Sequence, residues 1–133
     1  MARAPGRLEA FTRWLTAFGD AWEAGNAAAV GPLFAVGATY APDPFAELVR
    51  GRRAIVEYFG TLFGEWPSAS FAAQVLGAGD TYGVAHWRVT STDRALDGVL
   101  VAALDSRGRC TSLRQWWHVS SARPEAHGNG TTL

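Results

Sequence analysis

The chain has 133 residues, and its twelve basic and twelve acidic side chains cancel, so it has room for one domain with one sizeable core and no net field to draw nucleic acid or an anionic membrane. No stretch concentrates Lys or Arg, and no window approaches the ~18 apolar residues of a membrane span, which excludes phosphate-rich partners and a transmembrane helix. Six tryptophans and seven phenylalanines exceed what so small a core needs, so some of these rings are expected to line a cavity.

In chain order, Leu8, Phe11, Leu15, Phe18 and Trp22 recur at spacings of three and four. That is the apolar stripe of an amphipathic helix over residues 8–24, with Gly25 as its left-handed stop. Asn26 can cap a short second helix carrying Val30, Leu33 and Phe34, weakened by Pro32 inside it. "ATYA" at 38–41 reads as a strand leading into the loop "PDPF". After Gly51, the residues Ile55, Phe59 and Leu62, flanked by Tyr58 and Phe63, predict a third helix ending near Gly64.

From Ser70 the period changes to two: Phe71, Ala73 and Val75, then strands over 82–91, 97–105 and 110–120. The turn-rich joints "STDRAL" and "DSRGR" make them antiparallel hairpins. Residues 1–7 and 121–133 are expected to be flexible ends around one domain at 8–120. Helices followed by an antiparallel sheet imply an α+β domain whose curved sheet wraps the helices and leaves a hollow. Cys110 lies in a strand-like run and has no partner for an internal disulfide, so a buried, inert thiol and a reducing, cytoplasmic setting are expected.

Chemistry is concentrated in "APDPF", where Asp43 sits between two prolines and beside Phe45. At an apolar wall such a carboxylate is desolvated, its pKa rises, and it becomes a base for a C–H next to a carbonyl. The alternative is an Asp that accepts a backbone hydrogen bond in a turn. Both readings stand at this level. No G-x-G-x-x-G or Walker pattern supports a nucleotide, and no Ser, His and Asp spacing suggests a triad.

The run "FTRWLTAFGDAWEAGNAAAVGPLFAVGATYAPDPFAELVRGRRAIVEYF", with "GVAHWRVT" and "DGVLVAALDSRGRCTSLRQWWHV", resembles the nuclear transport factor 2-like superfamily, and within it the SnoaL-like group, over residues 8–120. The resemblance implies a cone-shaped, cystatin-like α+β roll: a curved antiparallel or mixed sheet around three N-terminal helices. It implies an apolar pocket between helices and sheet, and a homodimer through the outer sheet face. Such a pocket serves either a cofactor-free cyclase or isomerase acting on a small apolar carbonyl compound, or a non-catalytic ligand-binding or accessory domain. No cofactor is implied, and no membrane or nucleic-acid partner.

Carried over residue by residue, Asp43-Pro44 resembles the Asp-Pro pair holding the general base of ketosteroid isomerases, displaced by one residue in the loop. The positions where those enzymes carry a tyrosine and a protonated aspartate are Phe18 and Leu100 here, which disfavours steroid-type isomerisation by that constellation. Asp97 and Asp105 are predicted at strand ends, which disfavours the epoxide-hydrolase arrangement.

The expected pocket wall comprises Phe18, Phe45, Tyr58, Phe59, Trp87, Leu100, Gln115 and Trp117, with a hydroxyl that reaches solvent as the alternative for Tyr58. Strand alternation, matched to the family, turns Trp87, Gln115 and Trp117 inward, with Gln115 the rare polar group on an apolar wall. Core packing remains the alternative for Trp87. His86, Arg88, Arg114, Trp116 and His118 take the opposite face as a dimer surface. His118 at a strand end is a second candidate acid/base group, or else a surface histidine. Counting the hairpins back from their turns pairs His86 near Ala102 and His118 near Asp97, too far apart to share a zinc ion, so no metal site is expected.

Overall fold

A computed structural model of the chain describes residues 6–120. The expectations for residues 1–5 and 121–133 lie outside the described residues.

Helix α1 spans Arg7–Ala24, starts where the Gly6 N–H donates to the Glu9 carboxylate (2.9 Å), and stops at Gly25 in the left-handed region (φ 64°). Its apolar stripe buries Phe11, Trp14, Leu15, Phe18 and Trp22. The second helix is a 3-10 turn, Ala27–Leu33, capped by Asn26 Oδ1 accepting from Ala28 N–H (3.1 Å) and containing Pro32. Strand β1 (Phe34–Ala41) follows, then the two-residue β2 (Val49–Arg50) and helix α2 (Arg52–Glu65). Four strands complete the chain: β3 (Ser70–Ala78), β4 (Tyr82–Thr90), β5 (Ala95–Leu104) and β6 (Cys110–Ser120).

The six strands form one mixed sheet in the order β2-β1-β6-β5-β4-β3, in which β1 and β6 run parallel and the other neighbours antiparallel. All helices lie on one face, α1 over β3 and β4 and α2 beside β1 and β2. Close approach of α1 depends on Gly83, where a Cβ would fall 2.1 Å from the Phe11 ring. This is the α+β domain expected from the order of elements and the cone-like roll that the family resemblance implies, left open rather than closed into a barrel.

Three boundaries differ from the sequence reading. Strand β1 begins at Phe34, because the parallel pairing of Phe34 with Cys110 extends it past an irregularity before Thr39. Two-residue β2 has no periodicity to detect. Strand β5 begins at Ala95 rather than 97, since a tight turn closed by Ser91 N–H to Arg94 C=O (2.9 Å) replaces a longer loop. The register therefore slides: His86 pairs with Val99 instead of lying near Ala102, while His118 pairs with Asp97 as counted.

Candidate functional site

A cavity of about 220 Å³ opens between the C-terminal half of α2 and the sheet. Its walls come from α2 (Tyr58, Leu62, Glu65 and the following Trp66), from β1 (Tyr40), and from the β4–β5 hairpin and β6 (Trp87, Arg94, Leu96, Gln115, Trp117, Val119). The placement follows from local sequence. The period-two alternation of β4 turns Ala85, Trp87 and Val89 inward, and that of β6 turns Leu113, Gln115 and Trp117 the same way. Parallel pairing sets Tyr40 opposite Leu113, two residues from Gln115 on the same face.

Gln115 is 3% exposed and Tyr40 1% exposed. The Tyr40 hydroxyl donates to Gln115 Oε1 at 2.5 Å, so the amide turns its nitrogen away from Tyr40. This orientation is the one that gives the hydroxyl proton an acceptor. Among the described residues Gln115 Nε2 has no partner, and neither has the indole Nε1 of Trp87, itself 2% exposed. Two residues of the cavity wall therefore carry a buried, unsatisfied N–H donor, and each such group costs about 1–3 kcal/mol.

Tyrosine acidity fits the same picture. Burial, then the neighbouring Tyr58, then Asp43 hold the Tyr40 hydroxyl well above the usual phenol range. Burial followed by the charges of Asp43 and Glu65 raises Tyr58. Both stay protonated donors at neutral pH. The Tyr58 ring meets Tyr40 edge-on at 5.2 Å.

Asp43 stands beside this cavity and is not among its lining residues. It is half-buried, and its Oδ1 accepts the Phe45 N–H at 2.8 Å while its carbonyl accepts from Ala46 N–H at 3.3 Å. That is the turn anticipated as the alternative. Oδ2 has no protein partner among the described residues. The Trp117 indole donates to Pro42 C=O at 2.6 Å, tying the loop to the cavity rim and using the Trp117 donor.

Four of the eight expected wall residues line the cavity: Tyr58, Trp87, Gln115 and Trp117. Phe18, Phe59 and Leu100 are each 0% exposed and belong to the solid core beneath it. Phe18 stacks on Trp14 and meets Phe59 edge-on. Phe45 is a correction: it is 98% exposed, because the proline-bounded turn carries its side chain outward, and it is not part of the cavity wall. Tyr40, Glu65, Trp66 and Arg94 were missed. A buried Gln115 demanded a hydroxyl from the neighbouring strand, which could have pointed to Tyr40; no periodic signal marks the other three.

On the outer face Asp97, inside β5 rather than at its end, joins His86 and Arg88. His86 Nε2 lies 2.9 Å from Oδ1, and Arg88 Nε donates to Oδ2 at 2.7 Å. Desolvation raises this carboxyl, yet the hydrogen bonds and charges of His86 and Arg88 outweigh it and hold the group below its usual value. His118 is exposed and absent from the cavity lining. Among the described residues no three His, Cys, Asp or Glu side chains come together as metal ligands, and no helix is long and apolar enough to cross a membrane.

The sequence signature of the SnoaL-like domain family matches residues 15–124. A steroid Delta-isomerase from Nocardioides simplex is 34% identical over 102 residues, spanning 74% of this chain and 81% of its own. Among solved structures, the epoxide hydrolase/cyclase-like enzyme SalBIII of pyran ring formation in polyether salinomycin superposes with a TM-score of 0.73 at 16% identity, covering 83% of this chain and 94% of its own. RV0760c from Mycobacterium tuberculosis superposes at 0.75 with 11% identity, covering 89% and 98%. At such identities these two structures speak for the fold alone.

Proposed function

This chain belongs to the SnoaL-like domain family, and we propose that it binds a compact, mostly apolar carbonyl compound and acts on it as a cofactor-free isomerase or cyclase. The observation that carries this reading is the pair of buried, unpartnered donors, Gln115 Nε2 and Trp87 Nε1, on two residues that line one cavity. A carbonyl oxygen satisfies them, and an enolate oxygen satisfies them better, because hydrogen bonds to a developing charge are the stronger kind. A volume of about 220 Å³ falls below the roughly 300–1,000 Å³ of pockets for drug-sized ligands, so the ligand is small.

In this reading Asp43 takes the proton from the carbon next to the carbonyl. The C–H electron pair moves toward the oxygen held by Gln115 and Trp87. Return of the proton to a different carbon moves a double bond; attack of the enolate carbon on a second carbonyl closes a ring. The charge of Asp43 already acts on both cavity tyrosines, which supports its nearness. The name of the Nocardioides simplex relative supports the isomerase form. Phe18 and Leu100 offer no donor, so oxyanion stabilisation falls to Gln115 and Trp87.

A second reading, binding without turnover, is favoured by the engagement of Asp43 Oδ1 in its turn. The two are separated with a small cyclic β,γ-unsaturated ketone, following the ultraviolet absorbance of the conjugated product. Asp43→Asn keeps an oxygen for the Phe45 N–H, so the turn survives. Turnover is expected to fall by about 10²-fold or more. Unchanged turnover removes the base from the scheme, and binding with no turnover in the parent chain leaves the second reading.

We also propose a homodimer through the outer sheet face, where Trp116 is 38% exposed with Arg114 stacked over it at 5.2 Å, flanked by half-buried Val99 and Val101. Trp116→Glu is expected to shift sedimentation from dimer to monomer; a parent chain that sediments as a monomer contradicts the proposal.

A further inference from the structure

Arg94 is the only cation that lines the cavity among the described residues. It sits half-buried in the β4–β5 turn with its guanidinium 4.0 Å above the ring of Trp66, itself 4% exposed. One of its nitrogens donates to the Glu65 carbonyl at 2.5 Å. No carboxylate pairs with it among the described residues. A guanidinium partly withdrawn from water presents five N–H groups in a fixed fork, and one backbone oxygen and one ring face leave most of that fork unused.

Negative charge elsewhere on the rim is disposed differently. Glu65 also lines the cavity, but its side chain is exposed and solvated. Its charge and that of Asp43 both raise the Tyr58 hydroxyl. An incoming anion meets the half-buried guanidinium of Arg94, and the exposed Glu65 carboxylate beside it is screened by water.

We infer that the ligand is an oxo acid: a compact apolar body whose carbonyl reaches Gln115 and Trp87 while a terminal carboxylate seats on Arg94 at the mouth. The inference rests on the carbonyl reading above and adds the second pole, which fixes the ligand's direction in the cavity. Arg94 is then the residue that selects acids over their neutral analogues.

The test uses benzoylpropionate and its methyl ester, two molecules with the same ring and ketone, titrated calorimetrically into the full chain. The acid is expected to bind about tenfold or more tightly than the ester, the worth of one charge-assisted hydrogen-bonded pair. Added salt should weaken the acid and not the ester. Arg94→Gln removes most of the difference in affinity between acid and ester, whereas Arg94→Lys, which keeps the charge without the fork, recovers part of that difference. Equal affinity of acid and ester for the parent chain overturns the inference without needing any variant, and leaves the carbonyl reading standing. Binding of both compounds that is indifferent to Gln115→Leu overturns the carbonyl reading itself.

Discussion

Consider the buried pair Tyr40 and Gln115, changed to Phe and Leu singly and together. Tyr40→Phe deletes one oxygen and leaves Gln115 Oε1 without its 2.5 Å partner, at a side chain 3% exposed whose Nε2 is already unpartnered. The expected loss of stability is about 1–3 kcal/mol, the cost of a buried polar group left unsatisfied. Gln115→Leu strands the Tyr40 hydroxyl at 1% exposure, a loss of the same order reduced by the apolar surface gained. In the double variant neither polar group remains, so stability returns to within about 1 kcal/mol of the parent or exceeds it. The cycle should therefore give a coupling of about 1.5 kcal/mol or more. Urea denaturation at constant m reads each value as a shift in midpoint. The double variant should also lose carbonyl-ligand binding while keeping its fold, marking this pair as retained for the ligand rather than for stability. Effects that add within about 0.5 kcal/mol would refute the reasoning.

Other outcomes follow from the same geometry. Gly98→Ala is expected to destabilise by about 3 kcal/mol or more, because a Cβ there would lie 1.8 Å from the Trp116 backbone oxygen, which cannot move aside; a circular-dichroism melt within a few degrees of the parent contradicts this. Burial pushes the Cys110 thiol up to about 12, from an ordinary 9.0. The fold binds that proton more tightly than the unfolded chain, so its contribution is intact below pH 9 and is lost at about 1.4 kcal/mol per pH unit as pH rises toward 12. Alkaline urea titrations of the parent and Cys110→Ala should differ in slope across that window, and the thiol should alkylate only on unfolding. Asp97 has the opposite sign: its lowered carboxyl adds stability above its unfolded value, lost as pH falls through the folded one, so Asp97→Asn should flatten the acid limb of the stability curve.

How much of this was legible in the sequence depends on which force fixed each feature. The stripe Phe11, Leu15, Phe18 and Trp22 faces one core and so repeats at helical spacing; the alternation through Trp87, Gln115 and Trp117 records a sheet with one buried face. Those periodicities gave α1, α2 and the long strands and sorted Trp87, Gln115 and Trp117 by strand face, while the resemblance to the family is what turned those faces inward. The β4–β5 register was off by three because it depends on a turn of four residues, and turn length leaves no trace in the alternation. Phe45 was misplaced for a related reason. Its hydrophobicity argued for burial, but the backbone between Pro42 and Pro44 decides its direction, and it points to solvent. Arg94 and Trp66 meet across 28 residues of sequence, a contact no local pattern encodes.

The central claim is that one acceptor oxygen meets both Gln115 Nε2 and Trp87 Nε1. Nitrogen-15 NMR of the side-chain amide and indole groups, with Gln115→Leu and Trp87→Phe for assignment, tests it while a small aryl ketone is titrated in. Both N–H signals should move downfield along one saturation curve with a common Kd, as expected for donors that gain an acceptor together. Saturable binding that leaves these two signals in place, while the exposed indole of Trp116 responds, would contradict the account.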